Sequence, residues 1–231
     1  RNENATGHIL TIEDPLECLH AHKLSVVDQR EVGIDTHSYE EALKNALREA
    51  PDVIMIGEIR DRNTMKQAIA YAETGHLCLS TLHANNANQA MERVINFFPE
   101  EAHRQLLVDL SLNLAGVVSQ RLIPGLHEKL VPAVEVMLNS SYISDLIAKC
   151  EFSGIKEAMA RSTEIGMCTF DQALYQLYTE DRISLDEALH NADSRTDLAL
   201  RIRLAAGVST QDAGDLSIDT SSPIQSAARL A

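Results

Sequence analysis

Three short apolar runs, His8–Ile12, Val53–Ile56 and Leu77–Leu82, are each bounded by charged residues or glycine and have the length of buried strands. Run length alone does not separate a buried strand from a buried helical turn. The segments between them decide it. Ser38–Glu49 and Asn63–Glu73 place apolar residues at three-to-four spacing, the period of a helix with one buried face. Ser38 stands just before the first of these, with Glu41 three residues on. That is a capping-box pattern, which supplies partners for the N–H groups a helix start leaves free, so a helix is expected to begin near Tyr39. Strand, helix, strand, helix, strand implies a parallel α/β sheet with crossover helices.

From Pro99 the pattern reads as helix through Val118, and after the turn at Pro124-Gly125 the run Val131–Leu138 reads as one more strand. Beyond it strand patterning stops. Helix-like stretches follow at Ile143–Cys150, Ile155–Arg161, Phe170–Glu180, Leu185–Ala192 and Thr196–Leu204, the pattern of a small helical bundle. From Gly207 the chain turns to Ser, Thr, Asp and Gly with few large apolar groups, too few to bury enough surface to order. The expected division is a sheet core over 1–139, a helical subdomain over 140–206 and a flexible tail over 207–231.

Composition narrows the class. Apolar residues make up 45% of the chain and charged residues 23%, close to soluble globular averages. A net charge of −14 opposes non-specific nucleic-acid binding, which depends on Lys and Arg neutralising phosphates, so no nucleic acid is expected as a partner. The cysteines at 18, 78, 150 and 168 show no Cys-x-x-Cys spacing, and no charged-then-apolar leader precedes residue 10, which together point to a reduced cytoplasm. Cys18, His20 and His22 alternate without a second pair to complete a zinc set. Cys78 reads as a structural thiol inside a buried strand. No stretch approaches the ~20 apolar residues of a membrane span, so membrane association is expected through a partner and not by insertion.

Candidate chemistry lies where the strands end, because open α/β sheets bind ligands at their carboxyl edge. In Thr11-Ile12-Glu13-Asp14-Pro15-Leu16-Glu17 a strand delivers acids, and Pro15 then forbids a ladder hydrogen bond. In Val53-Ile54-Met55-Ile56-Gly57-Glu58-Ile59-Arg60-Asp61 an apolar strand ends at glycine, an acid and an Arg/Asp pair, like a Walker B strand end. Such an acid orients water on Mg2+ or polarises the attacking water, and Glu58 is placed for that role. A lone strand-end acid is equally a solvated loop charge or a helix cap. The third strand has His76 at one end and His83, with Ser80 and Thr81, at the other. His83 could donate to a phosphate oxygen, or be a plain loop histidine. Arg30, Arg60 and Arg121 could stabilise phosphoryl-transfer charge, or pair with neighbouring acids.

These segments carry a resemblance. Glu13-Asp14-Pro15-Leu16-Glu17 resembles the Asp box of secretion ATPases, Gly57-Glu58-Ile59-Arg60-Asp61 their atypical Walker B, and Thr74–His83 their His box. Gln29-Arg30-Glu31-Val32-Gly33 is similar to the PilT/PilU pattern of twitching-motility ATPases, and roughly residues 8–205 are covered. Where PilT-type members carry Ala-Ile-Arg-Asn-Leu-Ile-Arg-Glu, this chain has Ser140-Ser141-Tyr142-Ile143-Ser144-Asp145-Leu146-Ile147. That departure, with Gly166–Leu174 and Asn191–Ser194, resembles PilU-type sequence. The resemblance implies a RecA-like P-loop NTPase core followed by a small all-helical subdomain. It implies ATP and Mg2+ as cofactors and a homo-hexamer of the full-length protein. A PilT-type motor and an inner-membrane pilus platform protein follow as partners, with a cytoplasmic place peripheral to that membrane. Carried over by position, Glu58 is the Walker B acid, and Glu13 and Glu17 are possible water-activating bases. Asp14 with Glu58 acts on Mg2+ indirectly, while His76, His83, Arg30 and Arg60 contact or sense phosphate.

One departure outweighs the others. No G-x-x-x-x-G-K-[ST] occurs, although members of the family carry it just ahead of the point where this sequence begins. The core is therefore expected to be incomplete, lacking the Walker A strand and loop, and the chain to be a fragment with little or no hydrolysis alone. The alternative is a non-catalytic assembly module that works with an intact PilT-type motor.

Overall fold

The computed structural model describes residues 1–205, so the expected tail lies outside the described residues. Its centre is a four-stranded parallel sheet in the order β2-β1-β3-β4. The strands are β1 (Gly7–Glu13), β2 (Ser25–Glu31), β3 (Val53–Ile56) and β4 (Leu77–Ser80). Pairing sets Leu10 beside Ile54 and Ile12 beside Ile56, and all four side chains are fully buried. Each such burial contributes about 1.5–3 kcal/mol. Onto them pack α1 (Tyr39–Ala46), through Ala42, Leu43 and Ala46, and α2 (Arg62–Glu73), through Thr64, Met65, Ala68 and Tyr71. The Tyr71 hydroxyl donates to the Leu43 carbonyl and ties the two helices together. Ser38 caps α1 as expected, accepting from the Glu41 N–H at 3.1 Å.

The expected set of strands needs two corrections. β4 is an edge strand, with Leu77 and Leu79 each 48% exposed on one face and Cys78 half-buried on the other, so Cys78 is not inside a buried strand. Its thiol is nonetheless pushed up to about 11 by burial, which leaves it inert near neutral pH. β2 has no counterpart among the three apolar runs. As the opposite edge it needs only Ser25 and Val27 buried and carries polar residues elsewhere.

The helical reading from Pro99 through Val118 is also corrected. Helix α3 (Ala87–Asn96) precedes it, α4 (Glu100–Asn113) ends where Leu114 turns extended, and Gly116–Pro124 is strand β5. β5 pairs antiparallel with β6 (Leu130–Leu138), and the two form a sheet of their own. At Gly116 a Cβ would lie 2.6 Å from the Met137 carbonyl oxygen, so only glycine lets the hairpin close there. The β-branched pair Val117-Val118 then favours the ladder over another helical turn.

Helices α5 (Ser141–Ala148), α6 (Ile155–Ala160), α7 (Phe170–Thr179), α8 (Leu185–Asn191) and α9 (Arg195–Ala205) follow. A capping box of Thr169 and Gln172 starts α7. Ile143, Leu146, Ile155 and Met159 of α5 and α6 belong to the sheet's own apolar cluster. A second cluster joins Ile123, Val131 and Ala133 of the hairpin to Phe170, Leu174, Leu198 and Ile202 of α7 and α9. Among the described residues no helix is long and apolar enough to cross a membrane.

Candidate active site

Because β1, β3 and β4 run parallel, the chain leaves all three at one edge of the sheet. Gly57 lets them come close. Its N–H donates to the Ile12 carbonyl at 2.8 Å, and a Cβ on it would lie 3.2 Å from the Tyr39 hydroxyl and 3.3 Å from the Glu13 Cα. The loops after β3 and β4 are cross-linked in turn. The Ile59 N–H donates to the Thr81 carbonyl at 3.1 Å, and the Thr81 hydroxyl donates to the Gly57 carbonyl. Asp61 caps α2, accepting from the Thr64 N–H at 2.9 Å.

Three of the sequence motifs meet on this frame. The Glu58 carboxylate accepts from Arg60 Nε at 2.6 Å with one oxygen and lies 2.9 Å from His83 Nε2 with the other. Arg60 also reaches Asp14, at 3.7 Å. Glu58 is the sheltered member, its side chain 14% exposed, whereas Arg60 is 59% and His83 77% exposed. The Arg60 hydrogen bond holds the Glu58 carboxyl below the ordinary range against an opposing effect of burial, and the charges of Arg60, His83 and Arg93 assist. Since the folded pKa is lowered, this link is present above the ordinary carboxylate pKa and is lost as pH falls through the lowered value.

The other predicted residues separate. Glu13 lies inside β1, buried, and accepts from the Thr11 hydroxyl at 2.7 Å and from Gln29 Nε2 at 3.3 Å. Glu17 is exposed, with no hydrogen bond or ion pair among the described residues. Arg30 pairs with Glu49 at 2.5 Å. His76 lies beyond the amino end of β4, 3.0 Å from the Thr74 hydroxyl and edge-on to Tyr71, across the sheet from Glu58. Arg121 is half-buried, ion-paired to Asp193 at 2.8 Å and stacked over Phe170.

Tyr39 is the participant that motif reading missed. Its hydroxyl lies beside Gly57, and burial, then the Asp14 charge, raises its pKa. A signal existed: a crossover helix after a parallel strand starts at the carboxyl edge, so its first residue faces the site.

Chemically, this edge offers an ionised acid, a second carboxylate, a guanidinium between them and an imidazole in contact with the first acid. The Asp14 and Glu58 donors are carboxylate oxygens, the type a hard cation such as Mg2+ takes, so the residues present fit that ion. The described chain adds no glycine-framed loop for phosphates.

Comparison with known proteins agrees. The family model described as type II/IV secretion system protein matches residues 2–208. The type IV pilus ATPase PilU of Pseudomonas aeruginosa is 59% identical over 218 residues, covering 94% of this chain and 56% of that protein. The PilT retraction ATPase of the same organism is 40% identical over 191 residues, 83% of this chain and 56% of that protein. A crystal structure of the pilus retraction motor PilT with bound ADP superposes with a TM-score of 0.78 at 39% identity, over 86% of this chain and 56% of that one. This chain thus spans a little over half the length of the relatives it matches. By the extent of the family match, the identity to both pilus ATPases and the shared fold, it belongs to the type II/IV secretion system protein family, among its PilT/PilU-type ATPases.

Proposed function

We propose that this chain is the C-terminal ATPase part of a PilU-like motor subunit that binds and hydrolyses ATP to power type IV pilus retraction and twitching motility, accessory to a PilT-type motor. The observation that carries this reading is the convergence of Asp14, Arg60, Glu58 and His83 on one sheet edge. Glu58, kept ionised by Arg60, orients water at the reacting phosphate. His83, 2.9 Å from the Glu58 carboxylate, reports on the phosphate bound there. Asp14 and Glu58 would hold Mg2+ through water, and the ion would supply positive charge that offsets charge developing on the phosphates. Glu17, free in solvent, or Glu13, once released from Thr11 and Gln29, serves as the water-activating base. Arg60, 59% exposed, swings from the acids to a phosphate oxygen.

The full-length subunit works as a homo-hexamer in the cytoplasm, peripheral to the inner membrane through the pilus platform protein. The division into an ATPase core over 1–139 and a helical subdomain over 140–206 belongs to the same reading. A second reading is that the stretch assembles with an intact PilT-type motor and contributes surface and trans residues only. Mixing decides between them. Added to intact PilT, a longer chain that includes the upstream region should raise ATP turnover in a manner that Glu58→Gln removes. An increase that survives Glu58→Gln supports the assembly module, and no increase refutes both forms of partnership.

A further inference from the structure

At the opposite edge of the sheet His8, Asp28 and Glu49 bring one nitrogen and two carboxylate oxygens within 4.8 Å of one another. His8 precedes Glu13 by five residues along β1, so this place lies about 16 Å from the strand ends that carry Glu58.

The imidazole of His8 is oriented by its backbone. Its N–H donates to Asp52 Oδ2 at 2.7 Å, and its carbonyl accepts from the Asp52 N–H at 2.8 Å, so the residue is clamped on both sides. Nδ1 lies 3.2 Å from the Glu49 carbonyl oxygen. A carbonyl can only accept, so Nδ1 carries the proton, and in the neutral ring Nε2 presents a lone pair. That lone pair faces Asp28 Oδ2 at 2.9 Å. Two lone-pair atoms at such a distance repel unless a cation lies between or beside them. Ligand atoms about 2.0 Å from one tetrahedral ion stand about 3.3 Å apart, close to the separation found. A ring nitrogen that donates to a carbonyl while its partner nitrogen faces outward is also the arrangement that orients metal-binding histidines. Asp28 pairs with Leu10, two residues from His8 on the same face, so both side chains stand on one side of the sheet. Glu49 approaches from the turn after α1 and shares its carboxylate with Arg30.

We propose that His8, Asp28 and Glu49 form a binding site for a first-row divalent ion such as Zn2+ or Mn2+, which fastens β1, β2 and the end of α1 together. An imidazole with two carboxylates suits these ions and disfavours Mg2+ and Ca2+, which prefer all-oxygen sets.

The test is Co2+ titration of the EDTA-stripped 231-residue chain at neutral pH, read by visible d–d absorption and equilibrium dialysis. One equivalent is expected to bind, with affinity at least tenfold weaker in Asp28→Asn and no site-specific spectrum in His8→Gln. Asp28 is exposed, so its variant keeps the fold if His8→Gln does not. Cys18→Ser and His20→Gln, at exposed positions outside the cluster, should bind as the parent does. Failure to bind would overturn the proposal and leave a proton on Nε2 as the bridging cation. Binding untouched by Asp28→Asn, binding lost in the control variants, or displacement of Co2+ by a tenfold excess of Mg2+ would overturn it equally.

Discussion

Replacing Arg121 with alanine removes one side chain that joins three parts of the molecule. Its guanidinium stacks 3.9 Å from the Phe170 ring centroid, a contact that contributes about 1 kcal/mol at a half-buried site. It pairs with Asp193 at 2.8 Å, with the two side chains 24% and 19% exposed. Full removal of a buried partner costs about 3–5 kcal/mol, but Lys156 stays 3.3 Å from Asp193, so about 1 kcal/mol is the better figure here. Hydrogen bonds to the carbonyls of Asn191 at 3.1 Å and Asn85 at 3.4 Å add about 0.5–1 kcal/mol together. The expected loss is about 3 kcal/mol. In urea unfolding followed by circular dichroism this lowers the midpoint by about 1 M, given a slope of about 3 kcal/mol per molar. Arg121→Lys keeps a charge but loses the planar stack and the fork, so it should recover less than half of the loss. A loss under about 1 kcal/mol, or full rescue by lysine, would refute the reasoning that stacking and fork geometry carry this position.

Three further outcomes are expected. Glu135 is buried, accepts from the Ala87 N–H at 2.8 Å, and has its pKa raised, chiefly by burial, so its contribution is greatest below the ordinary carboxylate pKa and is lost as pH rises through the raised value. Glu135→Gln keeps an acceptor for Ala87 and should gain stability relative to the parent in thermal unfolding as pH rises from the ordinary carboxylate pKa through the raised value, a trend whose reversal would contradict the assignment. Asp61→Ala strips the cap from α2 and should cost about 1 kcal/mol by urea unfolding, while Asp61→Asn costs less than half of that. Gly57→Ala forces a methyl within 3.3 Å of the Ile12 carbonyl oxygen and 3.2 Å of the Tyr39 hydroxyl, and should destabilise by about 1–3 kcal/mol. Tyr39→Phe in the same chain should relieve part of that cost.

Much of the sheet was legible because buried parallel strands are nearly continuous apolar runs, and Val53–Ile56 has its structural bounds in the sequence pattern itself. Edge strands break that signal: Ser25–Glu31 needs few apolar side chains, and Leu77–Ser80 keeps its leucines half in solvent. The end of α4 was misread since Leu110, Leu114 and Val118 continue a helical period, whereas the break comes from the extended backbone of Leu114 and the close contact at Gly116. The meeting of Asp14, Arg60, Glu58 and His83 followed from topology, as parallel strands deliver their following loops to one edge. Which acid stays free did not follow. Glu13 still belongs to the strand and points with Thr11, and Asp14, one residue on, reaches Arg60. Spacing places Arg30 near the same edge too, yet its side chain is drawn back to Glu49.

The central claim is that Glu58 stands at the hydrolytic centre of a pilus-retraction ATPase, and steady-state ATP turnover tests it most directly. The comparison pairs the 231-residue chain with a version extended to the full length of its pilus ATPase relatives, each with and without Glu58→Gln. The account predicts turnover only in the longer chain, reduced at least a hundredfold by Glu58→Gln, as loss of one oriented catalytic group does. Turnover in the longer chain that survives Glu58→Gln would contradict it.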